Sequence, residues 1–413
     1  MKSGKVNILS VDVTMDAPMK QTDPFRKVNP ISATILTPRE REVLHFVVEG
    51  FKNGEIAGRM GITVKTVEKH RKNMMEKLQV RNLSELFRVA SKYGLMETEA
   101  TPVQALPGTV KGVGHYYAPG EAKGIAVCGR YAYLAHGGGG LKIIDVGNPA
   151  APVLIGSYQT DGDARGVAVS GSFVYLADTT GGLKVFDVSN PARPMLTGQY
   201  VAVDDLDHTA LRKAYDVSIQ GTVAYVAYDF LGLQIVDVSD PANPRLLKGL
   251  KTPSWAYEFS PRGTYGYLVH SACGLLTLDI SVPEAARQVG ALALSGNPTG
   301  LCVHGRYACI AAGDHFHIVD VALPSSPKLI ATYDTPGQAN KVFVKGACVY
   351  IADGPAGVQI LDVSDPHGPK WVGTYNTLGN ANDLTVSNGL IYVADGTEGM
   401  AILEFRGPHE RDT

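Results

Sequence analysis

The side chains best placed to do chemistry in this chain are cations on one helical face, not a catalytic set. From Thr63 the chain runs Val-Lys-Thr-Val-Glu-Lys-His-Arg-Lys-Asn-Met-Met-Glu-Lys-Leu to position 78. Val64, Val67, Met74 and Leu78 recur at helical spacing, which predicts a buried stripe with Lys65, Glu68, Lys69, Lys72 and Asn73 facing outward. Lysines and arginines on one face neutralise phosphates and release counterions, and a helix about 10–12 Å wide fits the major groove of a duplex. His70 stands alone in this run and fits a packing or phosphate-contact role better than metal ligation. Residues 31–96 hold 12 Lys+Arg against 7 Asp+Glu, so this stretch is cationic although the whole chain carries a net charge of -2. A polyanionic partner is expected for this segment alone.

Other candidate clusters are weaker. Asp204, Asp205, Asp207 and His208 gather in one loop, but no EF-hand glycine or closing glutamate follows them. His315 and His317 share a strand face without a third zinc ligand in view. There is no nucleophile elbow, HExxH or P-loop, and the glycine run 137–140 precedes no helix. We therefore expect no catalytic residues, no metal and no cofactor. The five cysteines (Cys128, Cys273, Cys302, Cys309, Cys348) form no CxxC, which fits free thiols in a reducing cytoplasm. No run approaches the ~18 apolar residues that cross a bilayer, so no membrane partner is expected.

Helical elements must position the cations. Thr37-Pro38-Arg39-Glu40 offers an N-cap, proline at the first helical position and glutamate at the third. Val43, Leu44, Val47 and Val48 give that helix its buried stripe, and Gly50 ends it. Asn53 caps a short second helix carrying Ile56, Ala57 and Met60; Gly61 turns the chain, and Thr63 caps the third helix. A fourth is predicted over about 83–93. Two short helices around a glycine turn, the second basic outside, make a helix-turn-helix.

Leu36-Thr-Pro-Arg-Glu-Arg-Glu-Val-Leu44, Glu55-Ile-Ala57, the run from Thr66 to Leu78 and Val80-Arg-Asn82 resemble the LuxR/FixJ-type DNA-binding domain of bacterial regulators over about 35–95. The resemblance implies phosphate contacts from Thr66, Arg71 and Arg81, supported by Lys65 and Lys77. It implies that Glu68, Lys69 and Lys72 face base edges and that the fourth helix pairs with its mate in a homodimer. Gly54 stands where the family often has lysine, which removes one phosphate contact.

Beyond this domain the sequence repeats itself. Gly182-Leu-Lys-Val-Phe-Asp-Val-Ser-Asn-Pro191 recurs at 140–149, 232–241 and 357–366, with looser copies at 274–280, 315–321 and 399–405. Its acidic markers, Asp145, Asp187, Asp237, Asp279, Asp320, Asp362 and Glu404, are spaced 42, 50, 42, 41, 42 and 42 residues apart. Each marker is expected to accept backbone N–H bonds at a turn, a structural role. A full unit, such as 164–200, reads as four short strands, and stacking such sheets around an axis buries both faces of each. The seventh unit stops after three strands, and Val110-Lys-Gly-Val-Gly-His-Tyr-Tyr117 matches the missing outer one. The expected fold is multidomain: a small all-α helix-turn-helix domain of four helices, then an all-β seven-bladed propeller closed by its N-terminal strand. The boundaries are a flexible arm at 1–35, too short for a receiver domain, the helical domain at 36–96, a linker at 97–109, the propeller at 110–406 and a tail at 407–413. The wording of the repeat resembles the LVIVD-repeat propellers over about 110–405, a likeness that implies a fold and hardly a function.

Positions that differ between repeats carry the information. Ahead of the inner strands stand Lys123, Arg165, Tyr215, Tyr257, Thr299, Asn340 and Asn382. The next positions give Gly124, Gly166, Asp216, Glu258, Gly300, Lys341 and Asp383. His136, Asp178, Tyr228, His270, Asp353 and Asp395, at the ends of the second strands, are expected on the same face. Such a mouth suits a polar small molecule or a peptide, or is simply solvated and crossed by pairs such as Arg165–Asp178. The long loop at 201–213 is a plausible recognition element. The leading expectation is a cytoplasmic regulator that binds double-stranded DNA and senses a ligand or protein with its propeller. The alternatives are a propeller scaffold tethered to DNA and, less favoured, a propeller enzyme.

Overall fold

The structure, a computed structural model, describes residues 36–48, 53–60, 62–78, 80, 108–203, 212–271 and 274–407. The chain divides into two compact units, Met1–Val103 and Gln104–Thr413.

Three helices are described in the first unit: α1 (Pro38–Val48), α2 (Asn53–Met60) and α3 (Val64–Lys77). The fourth expected helix, at 83–93, lies outside the described residues, as do the arm at 1–35 and the linker up to 107. The start of α1 closes as a reciprocal capping box: the Thr37 N–H donates to Glu40 at 2.8 Å, and the Glu40 N–H to Thr37 Oγ1 at 3.3 Å. At α3 the Thr66 N–H donates to Thr63 Oγ1 at 3.2 Å. Leu36, Val43, Leu44, Val47, Ile56, Ala57, Val67, Met74, Leu78 and Val80 form the core. Val64 departs from the expected stripe: it is 43% exposed, and burial on α3 begins one turn later, at Val67.

The second unit is a seven-bladed propeller built of antiparallel sheets. Six sheets have four strands; the fifth has three, because its second and third strands run together as Tyr307–Asp320. The sequence carries the reason. In the other units a glycine opens the third strand with positive φ, as at Gly182 (71°) and Gly232 (73°), where a Cβ would run into an outer-strand carbonyl. In the fifth unit His315 occupies that place and the left-handed conformation moves to Gly313 (66°). The seventh sheet combines Asp383–Ser387, Leu390–Ala394 and Met400–Arg406 with Thr109–Tyr116, which pairs antiparallel with Met400–Arg406.

Apolar side chains pool between neighbouring blades: Tyr175, Leu183 and Val185 pack with Val217, Val226 and Tyr228. Ile125, Leu134 and Ile144 of the first sheet pack in the same way with Tyr392, Met400 and Ile402 of the last. The repeated acids hold turns. Asp187, Asp237, Asp279, Asp320 and Asp362 accept the N–H two residues on at 2.8–3.1 Å, and Asp145 accepts that of Gly147 at 2.8 Å. Glu404 instead pairs with Lys111 at 2.6 Å, across the sheet it shares with Thr109–Tyr116.

Candidate functional site

On α3 the core takes Val67 and Met74, which turns Lys65, Glu68, Lys69 and Lys72 out to solvent. Lys72 has only a loose contact with Glu76, 3.9 Å away, and both side chains are well exposed. Thr66 and Arg71 are half-buried at the edge of this surface. The Arg71 guanidinium donates to Asn53 Oδ1 at 2.6 Å, bridging α3 to the start of α2. Its remaining donors are still available in number, since guanidinium has five. Lys77 is differently placed. Its ammonium lies 2.9 and 2.7 Å from the two oxygens of Glu40, which is 3% exposed. Burial pushes the Glu40 carboxyl up, but the Lys77 hydrogen bond and those from Thr37 outweigh it and hold it below its usual range. Lys77 therefore ties the end of α3 to the cap of α1. Arg81 lies outside the described residues.

In the propeller, the residues ahead of the inner strands line one cavity of about 280 Å³ at the centre of the ring. Lys123, Arg165, Tyr215 and Tyr257 come from the first four blades, and Thr299, Asn340 and Asn382 from the last three. Asp216, Glu258, Lys341 and Asp383 also line it. At the equivalent positions of the second and fifth blades, glycine is required by close approach: a Cβ on Gly166 or Gly300 would press into the backbone of Asp216 or Lys341 at 2.6 or 2.7 Å.

The two halves of the mouth are built differently. On the last three blades the polar groups tie each blade to the next. Thr299 Oγ1 donates to Asn340 O at 3.2 Å, Asn340 Nδ2 to Ala381 O at 3.1 Å, and Asn382 Nδ2 to Ala122 O at 2.9 Å. On the first four, cations and aromatic rings face the cavity. Lys123 pairs with Asp163 at 2.8 Å and Glu121 at 3.2 Å, and Arg165 Nε lies 3.4 Å from Asp163. The Arg165 guanidinium lies 5.2 Å from the centre of the Tyr215 ring. Tyr215 is 5.4 Å from Tyr257 and stacks on Trp255 at 6.0 Å; Phe230, 55% exposed, meets Trp255 edge-on at 5.7 Å.

At the base, Lys341 Nζ contacts Glu258 Oε1 at 2.8 Å and approaches Asp216 Oδ1 at 3.9 Å. The other Glu258 oxygen accepts the Leu301 N–H at 2.8 Å, and Asp383 accepts those of Ile125 (2.9 Å) and Leu384 (2.7 Å). Burial pushes Glu258 up to about 8 against the pull of Lys341, and raises Asp216 and Asp383. Lys341, facing all three carboxyls, is held well above its usual value despite burial.

Two expectations about the mouth are corrected. His136, Asp178, Tyr228, His270, Asp353 and Asp395 do not line it; they are buried. Asp178, Asp353 and Asp395 accept the N–H of Gly162, Gly337 and Gly379, each 16 residues earlier, at 3.2, 2.9 and 2.9 Å. In these three blades the segment leading into the inner strand is thus latched to the end of the second strand of the same blade. The expected Arg165–Asp178 pair is absent for this reason: Arg165 pairs with Asp163, and Asp178 faces Thr160 (2.7 Å) and Lys184 (3.8 Å). His317 is also buried, bonded to Thr332 and Ser295 O, while His315 faces Asp334. Among the described residues no three His, Cys, Asp or Glu side chains gather as a metal site. Tip residues 204–211 of the long loop lie outside the described residues.

Sequence reasoning missed Asp163, Trp255 and Phe230. For two of them a signal existed: Asp163 and Trp255 stand two positions before Arg165 and Tyr257, hence on the same side of an extended chain. Nothing comparable marked Phe230.

Residues 34–90 match the family of bacterial regulatory proteins designated luxR. The LVIVD repeat matches at 119–160, 161–202, 211–252, 295–335, 336–377 and 378–404, together more than half of the chain. Over 63 residues the chain is 51% identical to the tetrathionate response regulatory protein TtrR of Salmonella typhimurium, covering 15% of this chain and 31% of that protein. Over 109 residues it is 31% identical to the transcriptional regulatory protein FixJ of Bradyrhizobium diazoefficiens, covering 23% and 53%. The chain thus spans less than two thirds of the length of either relative. Among solved structures, the RRP9 WD40 repeats align at TM-score 0.56 with 10% identity, covering 72% of this chain and 97% of that one. The designed Ika8 protein aligns at 0.53 with 8% identity, covering 70% and 98%. Identities this low speak to the fold alone. The chain belongs to the LVIVD-repeat family and carries, ahead of its seven-bladed propeller, a helix-turn-helix domain of the bacterial luxR regulatory family.

Proposed function

We propose that this protein is a transcriptional regulator that binds double-stranded DNA through α3 and takes a ligand or protein partner at the mouth of its propeller. The observation that carries the reading is the outward face of α3, where Lys65, Glu68, Lys69 and Lys72 are exposed opposite Val67 and Met74. A helix capped at Thr63, tied at its end through Lys77 to Glu40 and presenting lysines at this spacing can enter a major groove while neighbouring cations meet phosphates. The similarity to TtrR and FixJ, both named as regulatory proteins, supports it. In this reading Glu68, Lys69 and Lys72 face base edges, and Lys65, Thr66, Arg71 and Arg81 meet the backbone. Lys77, already held by Glu40, serves the fold.

The same reading makes 36–96 the DNA-binding domain, 97–109 a tether and 110–406 the propeller, whose ring is closed by the strand Thr109–Tyr116 pairing with Met400–Arg406. In this reading the segment at 83–93, expected from the sequence as a fourth helix, joins two copies and sets their reading helices about 34 Å apart on one side of the duplex. No catalytic step is assigned to either domain, and the place of action is the cytoplasm, where DNA is reached. Among the described residues no helix is long and apolar enough to cross a membrane.

Fluorescence anisotropy with a duplex from the chain's own upstream region tests the proposal. Binding should weaken with salt at a slope of about -0.9 per phosphate neutralised. Replacing Lys69 and Lys72 by Ala should lower affinity by about 1–3 kcal/mol per lost base contact and relax base preference. Unchanged duplex binding in that double variant would remove α3 from the groove.

A further inference from the structure

We propose that the propeller's mouth takes a small organic cation, a protonated amine or guanidinium borne on a short apolar body. The inference rests on reading the mouth as an effector site and names the chemistry of the effector.

Three features of the cavity converge on that class. The first is the inventory at its base, where three carboxyls meet one ammonium. Glu258 and Asp383 have hydrogen-bond partners for their oxygens in Lys341 and in the backbone N–H groups of Leu301, Ile125 and Leu384. Asp216 has less: its nearest cation is 3.9 Å away, beyond hydrogen-bond reach, and its backbone partner is the Val217 N–H of its own strand. It lines the cavity with acceptor capacity left over.

The second feature is independent of the acids. Tyr215 and Tyr257 line the cavity, Trp255 packs on both rings, and Phe230 packs on Trp255. Aromatic faces attract ammonium and guanidinium groups within about 6 Å. This cluster already holds one, the Arg165 guanidinium at 5.2 Å from the Tyr215 ring. Asp216 and Glu258 directly follow Tyr215 and Tyr257 in the chain, and all four line the same cavity.

The third feature disfavours the opposite charge. Lys123 and Arg165 face the mouth, but Asp163 and Glu121 already neutralise them. An anion passing them would meet Asp216 and Glu258 below. The volume, about 280 Å³, sits near the lower bound for small-molecule pockets and selects a compact ligand.

The test is isothermal titration and thermal shift of the full chain with matched small probes: 1,4-diaminobutane, tetramethylammonium, succinate and erythritol. At least one of the two cations should bind and raise the melting temperature, with succinate and erythritol inert. Asp216→Asn, nearly isosteric, should weaken cation binding about tenfold, the worth of one charge-assisted hydrogen bond. Tyr257→Leu should weaken tetramethylammonium more than the diamine. Unchanged circular dichroism checks that both variants fold. A second readout is proton release. Glu258 faces Asp216, Lys341 and Asp383, with Cys302 on the adjoining strand, and an added cation drives it toward its charged form. The measured heat should therefore vary with the ionisation enthalpy of the buffer. Binding of succinate without either amine overturns the class of ligand and leaves the mouth a binding site. Silence from all four probes overturns both.

Discussion

The helical domain and the propeller encode their working surfaces in opposite ways. In the helical domain each motif occurs once, and the residues that matter are the ones fitting a pattern: caps at Thr37 and Thr63, a core stripe, and cations on the remaining face. In the propeller the residues that fit the pattern are building material. The repeated acids close turns, and the buried acids Asp178, Asp353 and Asp395 latch the entry segments of their own blades. Individuality lies where the repeat is broken, at Lys123, Arg165, Tyr215, Tyr257, Lys341 and Asp383. Even there the ring is divided, since Asn340 and Asn382 tie blades together while the aromatic half is turned to the cavity. A fold made by repetition leaves only its exceptions free for recognition.

Three experiments would break or sharpen this contrast. The largest effect is expected from deleting residues 1–116, compared with deleting only 1–107. The longer deletion removes a strand with seven paired positions, costing roughly 5 kcal/mol at ~0.5–1.5 kcal/mol per ladder hydrogen bond, and exposes a sheet edge. Chemical denaturation and light scattering would register the loss and the resulting association; equal stability of the two truncations would mean the strand does not hold the ring.

A smaller effect, about 2 kcal/mol, is expected from Glu40→Gln in the helical domain, since it removes the ionic partner of Lys77 from a buried site. Here the folded carboxyl sits below its unfolded value of ~4.3, so its stabilisation is present above that pH and fades as pH falls through the lower folded value. The wild-type domain should therefore lose more stability than the variant on acidification, as melting curves between pH 6 and pH 3 would record.

The subtlest effect runs with the opposite sign in the propeller. Glu258 is raised from 4.5 to about 8 and Asp353 from 3.8 to about 6, both by burial. An acid raised in the folded state favours folding while protonated, so stability drains away as pH climbs from the unfolded to the folded value. The propeller should melt lower at pH 8 than at pH 5, and Glu258→Gln should flatten the upper part of that slope. A propeller whose melting point rises across this range would show that Lys341 already holds Glu258 ionised.

The sequence by itself determined the repeat, its seven units, the three described helices and the capped starts of α1 and α3. All of these depend on short-range periodicity or on turn chemistry within a few residues, and such signals survive in a linear string. It also predicted the inner-strand positions that came to line the mouth, because one register repeats around the ring. Three-dimensional packing alone decided that Asp178, Asp353 and Asp395 turn inward, that Lys77 belongs to Glu40, and that Phe230 packs edge-on against Trp255. Each of these depends on partners brought together from different elements. Charge and polarity are properties of a residue, whereas burial and pairing belong to the neighbours that folding supplies.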